Sequence, residues 1–245
     1  MSTALVVVFF ATGLRTPLLA LLALRRLRNI ALVALPYAPG LVLVPLLGPS
    51  LGDADRAGLL AVAVAPALLS APALATAMGG RMDRAGALLV GTIAASFVLS
   101  LTRGGAAGGG MQNAMLAFVI GAGVASAVPM LPSTARSVIQ RLGDVGFGVV
   151  LAVAIVGGPL LGAGPALAAV ALFVTTIGVA ALVARIAGAD VRSAIAGAGT
   201  RDPAVAAALA VTLAGPGAAG VPLYSALLLL VLGAVFVALN RRKAR

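Results

Sequence analysis

The chain contains no cysteine and no histidine, and its six acidic residues are all aspartate. Without cysteine there is no disulfide framework and no thiolate nucleophile, and without either residue there is no soft metal site. Lacking histidine and glutamate, it has little from which to assemble general acid–base chemistry. No paired aspartates lie in its apolar segments, so an intramembrane enzyme is not expected: no catalytic residue, no metal and no cofactor. Charge is scarce as well. Only 9% of the 245 residues are charged, against about 25% in an ordinary water-soluble domain, which excludes that class.

What fills the chain instead is apolar. Hydrophobic residues make up 62%, the mean hydropathy is +1.17, and they sit in runs of roughly 20 residues, the length a helix needs to cross a bilayer. Lipid offers a bare backbone no hydrogen-bond partner, so spanning segments must be helices or a closed barrel. Barrel strands would alternate apolar and polar residues, and these runs do not. The expected fold class is therefore an all-α polytopic membrane protein.

Nine transmembrane helices are expected, at about 3–23, 30–48, 58–80, 85–102, 114–135, 144–163, 166–184, 194–214 and 222–240. Arg25, Arg26, Arg28, Arg81, Arg84, Arg136, Arg141, Arg185, Arg192, Arg241, Arg242, Lys243 and Arg245 then fall on one side. Only Arg56 and Arg103 fall on the other, while Arg15 and Arg201 lie inside spans. This split of 13 against 2 follows the positive-inside rule, with the N-terminus outside and the C-terminus cytoplasmic. The net charge of +11 is then topology and contact with anionic lipid, and no nucleic-acid partner is expected. The first span has no positive n-region, so it does not read as a signal peptide. The compact, loop-poor chain and its 16 arginines against one lysine associate it with a bacterial inner membrane.

Two spans carry helix breakers at mid-membrane. "APALLSAPALATAMGG" holds Pro66, Pro72, Gly79 and Gly80, and "AGAGTRDPAV" holds Gly197, Gly199 and Pro203. Proline removes a backbone donor and clashes with the preceding turn, and glycine lowers the cost of leaving the helix. Interrupted helices in corresponding positions of two halves point to a transporter binding site. The turn after the third span is expected to be cytoplasmic and that after the eighth external, as inverted repeats would produce. The chain reads as one domain, 1–245, with a first half of about 1–113 and an inverted second half of about 114–245.

Arg201 and Asp202 stand inside the eighth span with nothing charged for eight residues on either side. Ionisable groups at that depth are costly and by default functional. The candidate binding residues are Arg201, Asp202, Thr200 and Gly199 from this break, with Ser70, Pro72 and Thr76 from the other. Arg15 in "GLRTP" lies near a helix end with room to snorkel.

Three stretches carry a family likeness: "ATGLRTPLLALLALRRLRNIALVALPYAPGLVLVPLL" (11–47), "GGRMDRAGALLVGT" (79–92) and "GAGTRDPAVAAALAVTLAGPGAAGVPLYSALLLLVLGAVFVA" (197–238). They resemble the bile acid–sodium symporter family, with Asp83 at that family's Ala-x-Gly-Asp aspartate; residues 103–185 match only in hydropathy and "PMLP" (129–132). The resemblance implies core and panel domains, inverted repeats, two broken helices crossing at the midplane, and sodium-coupled uptake of an organic anion by alternating access. The sequence departs from the family at the sodium site. The glutamate position is Gly197, the glutamine position Arg201 and the asparagine position Asp202, while a Ser-Asn pair falls near Ala73 and Leu74. Hard cations need several oxygen ligands, and those are mostly gone, so sodium is not expected as a partner. "GMQN" at 110–113 repeats the motif in an external loop and lacks its context.

The expected function is transport of a small organic anion by a sodium-independent, symporter-like carrier. Arg201 either supplies the charge sodium would bring, contacts the substrate, or pairs with Asp202 or a carbonyl of the third span. Asp202 could instead carry a proton. The alternative is a non-transporting membrane subunit or sensor that retains the fold.

Overall fold

The computed structural model describes residues 27–102 and 162–243, together with 6–7, 9–10, 13, 113, 116–121 and 138. The expected spans at 3–23, 114–135 and 144–163 lie almost wholly outside these residues, as do Arg15 and residues 110–112. Among the described residues every regular element is helical. Four stretches are long and apolar enough to cross a membrane: Arg28–Ser50, Met82–Leu99, Ala163–Ile186 and Pro216–Phe236.

The first comprises α1 (Leu27–Ala34), a 3-10 turn (Leu35–Tyr37) and α2 (Ala38–Leu47). The turn falls where Pro36 and Pro39 interrupt the supply of amide donors. Next comes α3 (Asp53–Val64), then an irregular stretch, then α4 (Ala71–Ala77). Pro66 and Pro72 bracket that stretch, so the expected span at 58–80 is two half-helices. An uninterrupted helix, α5 (Met82–Thr102), follows.

The second described segment repeats this order. A long helix, α6 (Ala163–Ile186), leads to α7 (Val191–Ala194) and a π-helical turn (Ile195–Gly199). The backbone is then extended at Thr200 and Asp202 and resumes as α8 (Pro203–Ala214). The last element is α9 (Gly220–Lys243).

Small residues let these helices approach closely. Every residue of α8 from Pro203 to Ala210 is buried, and its alanines pack with Ala61, Leu89, Ile93 and Leu59. A methyl group on Gly40 would sit 2.6 Å from the Ala63 Cβ, so α2 and α3 touch backbone to backbone there. The outer faces are apolar instead: Leu46, Leu167, Leu182 and Leu230 are each more than half exposed. Such a surface suits lipid, where no polar rim is required.

The turns separate into two ends. Leu51 meets Gly164 and Ala54 meets Gly217, which gathers the turns before α3, α6 and α9 at one end together with Arg56. Gly79, Gly80 and Arg81 meet Asp190, Arg192 and Ser193 at the other.

Candidate functional site

The two breaks touch. The Asp202 amide donates to the Pro66 carbonyl at 2.9 Å, and the Leu69 amide donates to Asp202 Oδ2 at 3.0 Å. Asp202 reaches this position because Pro203 follows it: the proline disfavours helical geometry one residue earlier, and Asp202 becomes the N-cap of α8. Its Oδ1 accepts from the amides of Ala204 and Val205, both at 3.0 Å. One carboxylate thus ends one half-helix and fastens it to the other broken segment.

Other freed groups also find partners, as a backbone out of reach of water requires. The Ala67 amide donates to Thr92 Oγ1 at 3.0 Å, and that hydroxyl donates to the Leu89 carbonyl at 2.8 Å. Ser96 Oγ donates to the Val64 carbonyl, the last of α3. Thr200, fully buried, donates its hydroxyl back to the Ala196 carbonyl at 2.8 Å.

Arg201 points elsewhere. Its Nη2 donates to the Pro36 carbonyl at 2.7 Å, and its guanidinium lies 3.7 Å from the centroid of the Tyr37 ring. This is a close cation–π contact. Tyr37 is held in turn by its hydroxyl, which donates to the Thr92 carbonyl at 2.8 Å. Arg201 is 5% exposed, and among the described residues its buried Nη1 has no hydrogen-bond partner. A small cavity bounded by Val62, Leu172, Thr176, Gly199 and Ser225 adjoins Arg201.

One of the three roles considered for Arg201, pairing with Asp202 or with a carbonyl of the third expected span, gives way to a different arrangement. Neighbouring residues of an extended segment project to opposite sides, so Asp202 faces the break between α3 and α4 and Arg201 faces the 3-10 turn between α1 and α2. Of the other candidates, Gly199 borders the cavity and a methyl group on it would meet Ala180 Cβ at 3.0 Å. Ser70 and Thr76 are exposed, and Thr76 donates to the Pro72 carbonyl of its own helix at 3.0 Å. Pro72 is half-buried. The atoms of the α3–α4 break at the crossing belong to Pro66 and Leu69. Gly197 packs against α5, where a Cβ would come 2.7 Å from the Ala85 carbonyl oxygen.

Pro36, Tyr37 and Thr92 were not among the sequence candidates. "ALPYAPG" did hold a signal: one of only two tyrosines in the chain, flanked by helix breakers at mid-span.

At the other end of α4 and α7, Asp190 joins the two broken segments again. Its carboxylate accepts from the amides of Arg81, Arg192 and Ser193 and from the Ser193 hydroxyl. Arg192 Nη1 donates to the carbonyl of Gly79 at 3.2 Å, where a positive φ of 75° ends α4. Burial acts to raise the Asp190 pKa, but the donors from Ser193, Arg81 and Arg192 outweigh it and hold the group below its usual value.

No protein family and no curated protein sequence matches the chain. Among the described residues the fold is all-helical, with four helices able by length and composition to span a membrane. Its one buried guanidinium among the described residues stands beside the meeting point of two broken helices.

Proposed function

We propose that this is a bile acid–sodium symporter-like secondary transporter of a small organic anion, working without sodium. Arg201 supplies as a fixed charge what a bound cation would otherwise bring. The observation that carries this reading is the buried Arg201 with one guanidinium nitrogen unpartnered, next to a cavity, where two broken helices meet. A guanidinium suits a carboxylate by its planar fork of donors. Gly197, against the Ala85 backbone, has no room for a cation-binding side chain, which supports independence from sodium.

The wider architecture belongs to the same proposal: nine spans, core and panel domains, and halves of about 1–113 and 114–245 related by inversion. The shared order of long helix, broken segment and long helix in 27–102 and 163–243 supports it. So does the direction of the two broken segments, one leaving the Arg56 end and the other the Arg81 end. The location we infer is a bacterial inner membrane, N-terminus outside, with the arginine-rich end cytoplasmic.

The test is thermal stability of the purified protein with small organic anions, each in sodium and in choline buffer. A ligand of the native state raises its melting temperature by mass action. Equal stabilisation in both buffers, lost in Arg201→Ala, is the expected result. A shift that requires sodium would sink the sodium-free reading. The 5% exposure of Arg201 favours a second reading, a non-transporting membrane subunit or sensor, and no shift with any anion would select it.

A further inference from the structure

Arg201 brings a positive charge into a region where no described residue offers a countercharge. Asp202 turns away and accepts from Leu69, Ala204 and Val205. Of the other described acids, Asp53 and Asp55 open α3, Asp83 pairs with Arg81 at 2.8 Å, and Asp190 caps α7. The Pro36 carbonyl and the Tyr37 ring supply a dipole and a quadrupole, which compensate a cation only in part. Nη1 has neither. A buried donor on a charged group is costly to leave unmatched.

The adjoining cavity has the size and lining to complete the set. It holds room for about one water-sized group. Its walls are apolar except for Arg201 and the hydroxyls of Thr176 and Ser225, which donate to the carbonyls of Leu172 and Val221. Hydroxyl rotors can turn to donate to an anion instead. Gly199 borders the cavity, and a Cβ there would press on Ala180, outside its lining.

We infer that this cavity is a binding site for a compact monoanion of halide size, paired with Nη1 of Arg201. The apolar walls exclude a hydrated cation, and the single guanidinium matches one negative charge. The inference deepens the anion reading above and rests on it for the chemistry assigned to Arg201, but it holds whether the ion is cargo or resident. A neutral water would satisfy the donor and leave the charge unmatched.

The experiment uses the full-length protein in potassium bromide and in potassium gluconate at equal ionic strength, gluconate being too large for the cavity. A saturable rise in melting temperature in bromide is expected, with an anomalous bromide peak within hydrogen-bond reach of Nη1 in crystals. Both are lost in Arg201→Gln and in Ser225→Val, which fills the cavity and leaves the guanidinium in place. Equal melting in both salts, a water in place of bromide, or a bromide shift that persists in Ser225→Val would overturn the inference. A bromide peak without stabilisation by any organic anion would leave this inference standing and sink the transport reading. Organic-anion stabilisation that needs Arg201 but shows no bromide effect would do the reverse.

Discussion

Arg201 and Asp202 are adjacent in the chain, both buried, and do not pair: the guanidinium lies over Tyr37 while the carboxylate receives the amide of Leu69. Each residue ties the broken segment of α7 and α8 to a different neighbour. The two charges therefore have separable consequences when removed.

Asp202→Ala removes the cap of α8, worth about 1 kcal/mol, and orphans the buried Leu69 amide, worth about 1–3 kcal/mol more. Asp202→Asn keeps one acceptor oxygen, for the Ala204 and Val205 amides or for Leu69 but not for both, and is expected to fall between. Unfolding in denaturant checks the order. Amide exchange should quicken at Leu69, Ala204 and Val205 before it does elsewhere, and an unchanged rate at Leu69 would refute the cross-link.

Tyr37 positions Arg201 through its ring and is positioned by its hydroxyl. Tyr37→Phe loses the bond to the Thr92 carbonyl and is expected to cost about 0.5–1.5 kcal/mol. Tyr37→Leu also removes the aromatic face, about 2 kcal/mol further for a desolvated contact. Equal losses in the two variants would show that the ring contributes nothing beyond volume.

Gly197 stands at the position where the symporter resemblance puts a glutamate. Gly197→Ala is expected to cost about 1–3 kcal/mol by overpacking against Ala85. Gly197→Glu should destabilise further without creating a response to sodium. Sodium-dependent melting in Gly197→Glu would contradict the packing account.

Asp190 makes stability depend on pH at the arginine-rich end. Its folded pKa lies below the usual 3.8. Its contribution is thus fully present above the unfolded value and is lost as pH falls through the lower folded value. The charged groups around it are Arg81, itself paired with Asp83, and Arg192. Melting temperature measured from pH 6 downward should drop more steeply near about pH 4 and below in the parent chain than in Asp190→Asn, and parallel curves would remove Asp190 from the account.

Much of this was legible in the sequence because its causes are local. Runs of apolar residues of bilayer length mark helices able to span a membrane, and four such helices stand among the described residues. Pro66, Pro72 and Pro203 mark where helices must break, because a missing amide acts on its own turn.

Tertiary structure decided the rest. Arg201 meets Pro36 across 165 positions, and no spacing in the sequence encodes that approach. It depends on extended backbone at 200 and 202 turning neighbouring side chains apart. Which acceptor a buried donor finds is settled by what packing brings within 3 Å or so. That is why the pairing of Arg201 with Asp202, plausible from adjacency, gives way to two separate bonds, and why one nitrogen of Arg201 is left open.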